Sequence, residues 1–389
     1  MQIMDVRAIP LERRLDRTYQ GGTYQIDSRY TLVTEIELRN GIVARTFGGD
    51  EERYQKEVAC TVNHVFRELL MGQDVYDVER HWAAMFASAP LGAPNRGIHT
   101  LDLANKAILM QAIAAVDICL WDAIGKLAGQ PLYKLLGGFR DRVPVIAIGG
   151  YYGEGIGEKE LAEELEWYKK IQLSGIKLKV GRIAPCEDAE RVRFAREVVG
   201  ESFVIACDAN QAWTPDQAIE FCRAVADLNV RWLEEPVVWY DQLHGLARVR
   251  EQSGGIPIVA GQGEISRFGC RDLMNAGAVD ILNVDATIAG GVTEWRRVAA
   301  MASHLGVKMA HHEEPQVSIH LLASVPHGLY VEIFPDPQRD PMWFELPVTR
   351  PAIENGCMLV PQGPGLGIDL DPEVVERFRA ATPSPAGRS

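Results

Sequence analysis

The stretch Ile176-Lys177-Leu178-Lys179-Val180-Gly181 decides how the rest of the chain is read. Two lysines two positions apart on a strand project from the same face, and here apolar residues flank both. Ammonium groups forced together repel, and burial also opposes their charge. One of the pair is therefore expected to have a depressed pKa and to act as a general base near neutral pH. A lone Lys-x-Lys reads more simply as a solvated edge-strand pair, because lysine is usually exposed. The sequel decides against that reading: acidic, amide and histidine residues recur at the ends of successive apolar runs as far as Glu332.

Those runs occupy 143–147, 176–180, 203–207, 231–234, 256–260, 281–283, 308–310 and 330–332, with helical patterns between most of them. Eight strands alternating with helices indicate an α/β parallel barrel, whose chemistry sits at the C-terminal strand ends. Upstream, residues 2–10 and 30–39 alternate as strands, and 16–27 (DRTYQGGTYQID) has the composition of a lid loop. Amphipathic helices follow at 57–71 and along Ile108, Ala112, Val116, Leu120, Ile124 and Leu127, stopped by Gly129 and Pro131. The expected organisation is an N-terminal α+β capping domain (1–130) and a barrel (131–345). A turn-rich segment (346–389) then returns to the cap and ends in a frayed tail.

The formal charge of −13 argues against a nucleic-acid partner, which would want a basic face. Seven scattered cysteines without a Cys-x-x-Cys suit a reduced compartment, and no apolar signal core or run of 18 apolar residues is present. A cytoplasmic protein without a membrane partner is expected.

The strand ends carry Lys177 and Lys179, then Asp208 with Asn210, then Glu234 or Glu235, of which alternation lets only one face the axis. Gln262 and Glu264, Asp285, His312 and Glu332 follow on the later strands. Oxygen donors from three consecutive strands suit a hard cation, Mg²⁺ before Zn²⁺. Asp285 is placed to hydrogen-bond the His312 imidazole and raise its basicity.

In this order, KLKVG, DAN, EEP, the glycine-led acidic strand, the Asp285 and His312 pair and Glu332 resemble the enolase superfamily, within it the mandelate racemase subgroup. The resemblance covers nearly the whole chain and implies a (β/α)7β TIM-like barrel beneath a capping domain. It also implies a Mg²⁺ cofactor, a small-molecule carboxylate substrate and abstraction of the proton next to that carboxylate through an enediolate. Lys179 matches the base, Lys177 its carboxylate-binding neighbour, and Asp208 and Glu234 metal ligands. His312 with Asp285 matches the opposed acid/base dyad, and Glu332 a carboxyl that hydrogen-bonds the enediolate. Asp285 stands where the muconate-cycloisomerising subgroup would have lysine. Gln262 stands where the family usually has a glutamate ligand; its amide oxygen remains a donor, with Glu264 as the alternative.

The leading expectation is dehydration of a sugar acid (an aldonate or aldarate) to a 2-keto-3-deoxy acid. Racemisation or epimerisation of a 2-hydroxy acid would use the same residues. The third alternative, suggested by Gln262, is a diverged barrel with a binding role. Substrate contacts are expected from Tyr19, Tyr24, Tyr151, Tyr152, Asn210 and His311, and similar proteins are usually symmetric homo-oligomers.

Overall fold

Each apolar run becomes a strand because it is covered by helices outside and by packed side chains within the barrel. The computed structural model describes residues 1–49, 54–88 and 103–380, so the end of the expected tail lies outside the described residues. The chain opens with a three-stranded antiparallel sheet of β1 (Ile3–Gln20), β2 (Gln25–Leu38) and β3 (Val43–Gly48). Helices including Gln55–Thr61 and Leu103–Ala128 pack on it around Val62, Phe66, Ile113 and Val116.

Barrel strands follow: β4 (Arg142–Gly149), β5 (Gly175–Lys179), β6 (Val204–Asp208), β7 (Val230–Glu234), β8 (Ile258–Ala260), β9 (Ile281–Leu282), β10 (Lys308–Met309) and β11 (Val331–Ile333). They pair in parallel in sequence order, and β11 returns to β4. The Leu329 N–H donates to the Met309 carbonyl at 2.9 Å, linking the last two strands. Ile146, Ala206, Trp232, Val259, Ile281 and Ala310 plug the interior. Two residues beyond Ala206 and Trp232, on the same strand faces, come Asp208 and Glu234.

Two expectations change. Residues 16–27 form no loop: β1 and β2 run on as a long hairpin, with Tyr19 paired to Ile26 and Gln20 to Gln25, so only 21–24 turn. After an irregularity between Arg14 and Tyr19, cross-strand pairing resumes and reaches the tip despite the glycines and polar residues. The C-terminal return is also divided. A hairpin of β12 (Ile353–Glu354) and β13 (Cys357–Leu359) extends β4 in antiparallel fashion, whereas Ala380 donates to the Pro10 carbonyl in the cap.

Among the described residues, one helix, Asn105–Ala128, is long and apolar enough to cross a membrane, with a mean hydropathy of 1.8, but 78% of its most apolar stretch is buried. It lies between the cap sheet and a barrel helix, Gly291–Leu305. There the Asp117 carboxylate accepts from the Thr293 backbone N–H at 2.9 Å and from its hydroxyl at 2.6 Å. Trp121 Nε1 donates to the same hydroxyl at 2.9 Å, and Trp82 Nε1 to the Gly290 carbonyl at 2.8 Å. The cap thus supplies an acceptor for the buried first turn of a barrel helix, whose N–H groups have no partner within the helix. Asp117→Ala should cost about 1–2 kcal/mol and lower the thermal midpoint by about 2–8 °C, read by calorimetry. An unchanged midpoint would show that this clasp does not hold the domains together.

Candidate active site

Parallel pairing aligns Lys179 with Asp208, and Asp208 with Glu234, so alternate inward residues of neighbouring strands meet at one level. Lys177, Asp208 and Glu234 are each 0% exposed. Lys177 Nζ donates to Glu234 at 2.8 Å and to Glu332 at 2.8 Å, and lies 3.7 Å from Asp208. Lys179 Nζ donates to Asp208 Oδ2 at 2.7 Å. Burial works against both ammonium charges, but Glu234, Glu332 and Asp208 override it for Lys177 and Asp208 does so for Lys179. Both amines are held above the ordinary lysine range. The expected depression by mutual repulsion is therefore corrected: the carboxylates of the adjoining strands outweigh the neighbouring amine, a term invisible within β5 alone.

The choice at β7 resolves through Trp232. This barrel-filling residue shares a face with Glu234 and donates from Nε1 to Glu234 Oε2 at 3.2 Å. Asn283 Nδ2 donates to Glu234 Oε1 at 3.0 Å. Glu235 turns away, accepting from the Gly261 N–H at 3.0 Å and from Gln211 at 3.1 Å.

Above this floor lies a cavity of about 400 Å³ whose wall includes Tyr24, Lys179, Asn210, Gln262, His312 and Glu313. Gln262 Oε1 is buried without a hydrogen-bond partner. Glu264 is corrected as a ligand candidate. Its N–H closes a turn onto the Gly261 carbonyl at 3.0 Å, ending the strand alternation, and its carboxylate packs over Gly269 in the helix Arg267–Asn275. Among the described residues, no three His, Cys, Asp or Glu side chains form a metal-ligating group. Asp208, Glu234 and the orphan Gln262 oxygen are the residues that would hold a cation, and two carboxylates with one amide have the all-oxygen chemistry that suits Mg²⁺.

On the opposite wall, His312 Nδ1 lies 3.3 Å from Asp285 Oδ2 and its Nε2 lies 3.5 Å from Glu313 Oε1. Burial disfavours the imidazolium, yet Glu313 and then Asp285 hold its pKa up at about 10. The Thr287 N–H and hydroxyl each donate to Asp285 Oδ1 at 2.7 Å, fixing that carboxylate. Glu332 accepts from the Glu313 N–H at 3.1 Å, so it ties the lysine floor to the histidine wall.

The cap closes the mouth with the hairpin tip. A Cβ on Gly22 would fall 2.7 Å from the Val180 carbonyl and 2.8 Å from that of Ala209, so only glycine permits this approach. The Thr23 hydroxyl donates to the Asn210 carbonyl at 2.8 Å, and the Tyr24 ring centroid lies 5.4 Å from Lys179 Nζ. Asn210 takes a left-handed φ of 46° and donates from Nδ2 to Asp208 at 3.3 Å.

Tyr19, Tyr151 and Tyr152 do not line this cavity. They line a neighbouring one of about 670 Å³ with Arg17, Asp336 and Arg339, because the ladder carries Tyr19 to the other side of the hairpin arm. His311 is buried and accepts from the Ala286 N–H at 2.9 Å, a packing role rather than a substrate contact. Sequence reasoning missed Asn283 and Glu313. Asn283 stands two residues before Asp285, a period-two signal that could have found it, whereas Glu313 follows His312 directly and alternation would send it to the other face.

Comparison with known proteins agrees with this geometry. Residues 160–374 match the family described as enolase C-terminal domain-like, and 22–137 match the mandelate racemase / muconate lactonizing enzyme N-terminal domain. A 3,6-anhydro-alpha-L-galactonate cycloisomerase of Streptomyces coelicolor is 33% identical, over 96% of this chain and 97% of that protein. An arabinonate dehydratase of Saccharolobus solfataricus is 31% identical over 90% of each. A mandelate racemase/muconate lactonizing enzyme from a marine actinobacterium, solved in complex with magnesium, superposes with a TM-score of 0.87 at 39% identity, covering 98% of this chain and 99% of its own. The chain belongs to the mandelate racemase/muconate lactonizing enzyme family of the enolase superfamily.

Proposed function

We propose that this protein is a Mg²⁺-dependent hydro-lyase that dehydrates a sugar acid to its 2-keto-3-deoxy acid. The observation that carries the reading is the histidine wall, where the His312 imidazole lies 3.3 Å from Asp285 and 3.5 Å from Glu313. His312, between Asp285 and Glu313, is held protonated at neutral pH, which suits a proton donor to a departing hydroxyl. Racemisation would need the same imidazole to alternate as a neutral base.

Asp208, Glu234 and Gln262 would hold the cation, which supplies the positive charge that a substrate carboxylate and the enediolate require. Lys177 would meet the same carboxylate from beneath and, with Glu332, hold the developing charge in register. The Asp208 oxygen that accepts from Lys179 is also a donor to the cation, so the two uses compete. Lys179 in its neutral form takes the proton from the carbon next to the carboxylate. His312 gives its proton to the hydroxyl on the following carbon, which leaves as water, and the enol ketonises. Asn210 and Tyr24 face the substrate. We place the reaction in the cytoplasm, in keeping with the scattered cysteines, and the chain in a symmetric homo-oligomer, as is usual for similar proteins.

The reading is tested by assaying keto-acid formation across a library of acid sugars with Mg²⁺. Turnover of at least one member is expected, and α-proton exchange with D₂O without loss of water would favour racemisation instead. Lys179→Met should lower kcat by about 10²–10⁴ on any substrate found; a near-wild-type rate would remove Lys179 as the base. Gln262→Glu adds a negative charge to the donor set and should tighten Mg²⁺ roughly tenfold by calorimetry; weaker binding would place Gln262 away from the cation. For His312, NMR titration of the imidazole should show it still protonated at pH 8 and losing its proton near about 10. Its folded pKa lies above the ordinary value of about 6.5, so its contribution to stability is full below that value. The contribution is lost as pH rises through about 10. Asp285→Asn should move the titration down, and an unchanged titration would disconnect the pair.

A further inference from the structure

The two halves of the site are assembled differently. Lys177 and its three carboxylates all stand on barrel strands. The turn that carries His312 is instead gripped by the cap. Glu314 Oε1 accepts from the Gly49 N–H at 2.8 Å, and Gln316 Nε2 donates to the Phe47 carbonyl at 3.1 Å, both around the end of β3.

The third grip is a charge. Arg29, on β2, is 2% exposed, and its guanidinium carbon lies 5.1 Å from the centroid of the Phe334 ring. Its Nη1 is 3.6 Å from Glu313 Oε2 and its Nη2 is 3.6 Å from Asp340 Oδ2. Asp340 is itself fixed, because its Oδ1 accepts from the Trp343 N–H at 3.1 Å at the start of the helix Pro341–Glu345. A guanidinium is a rigid planar fork, so one arm set against Asp340 determines where the other points.

Glu313 is divided between two cations. Its Oε2 faces Arg29, while its Oε1 lies 3.5 Å from His312 Nε2. Its backbone takes a left-handed φ of 47°, which costs a non-glycine residue energy and turns the side chain out of strand alternation. Such a conformation persists only where the surroundings over-determine it, and here a cation stands at each carboxylate oxygen. Among the described residues, the imidazole is also faced by Asp285 from just past β9, by Lys177 from β5 and by His311 from its own turn.

We propose that Arg29 is a positioning residue for the acid of the site: by meeting one oxygen of Glu313 it fixes the other beside His312 Nε2, so the cap and the barrel together set the proton donor. The inference rests on the reading of His312 as that donor. Removing the guanidinium leaves a buried carboxylate short of one cation and free to turn away from the imidazole.

The test is a double-mutant cycle read by NMR titration of the His312 imidazole in the Mg²⁺-loaded full chain, with its resonance assigned by its loss in His312→Asn. Glu313→Gln should lower the titration midpoint by about one pH unit in the wild-type background and by less than about a third of a unit in Arg29→Met. The cycle cancels the direct repulsion between guanidinium and imidazolium, which is present whether or not position 313 is charged. A purely structural Arg29 would leave the Glu313→Gln shift equal in the two backgrounds, and that result would overturn the inference. So would a Glu313→Gln substitution that leaves the wild-type midpoint where it was. If circular dichroism shows Arg29→Met unfolded, Arg29→Gln replaces it with the same expected and overturning results. The titration needs no substrate, so its failure leaves the hydro-lyase reading in place. Failure of every acid sugar to turn over would sink that reading and leave the coupling of Arg29, Glu313 and His312 standing.

Discussion

The structure depends on a buried ammonium–carboxylate lattice at the C-terminal end of the barrel plug. Lys177 is fully enclosed, and it persists as a cation only because Glu234, Glu332 and Asp208 surround it. Taking such charges out of water is costly unless each is paired and hydrogen-bonded. The pairing here crosses four strands, β5, β6, β7 and β11, so it forms only when the barrel has closed in register. Closure of the barrel and assembly of this charged floor are one condition.

The same lattice makes the floor responsive. Its acceptors are also the donors that a divalent cation would use, so the charge on the lysines follows what occupies the site. Trp232 and Asn283 hold Glu234 from both oxygens, leaving it little freedom to turn. The histidine wall is arranged on the opposite principle: one imidazole between two carboxylates, in place of two amines among three. Glu332 joins the two through the Glu313 backbone, and the glycine-bearing hairpin tip closes the mouth against the ends of β5 and β6.

Much of this was legible from the chain. The eight apolar runs fall on the eight barrel strands to within a few residues, because each strand is buried on both faces and reads as a continuous run. The inward set Lys177, Lys179, Asp208, Glu234 and Glu332 follows from two-residue periodicity, while Asp285 and His312 lie just past the ends of β9 and β10. The hairpin arm was misread because polar composition resembles a loop when cross-strand partners are unknown. Glu264 and Glu313 were misjudged for a shared reason: the chain leaves strand geometry just before them, by a turn at Gly261 and by left-handed backbone at Glu313.

By itself the sequence determined the order of strands and helices and which residue types stand at each strand end, since both are set by local spacing and burial preference. Tertiary structure alone decided which charges meet. The charged forms of Lys177, Lys179 and His312 are favoured by carboxylates brought from distant strands, and electrostatic energy depends on distance in space rather than along the chain.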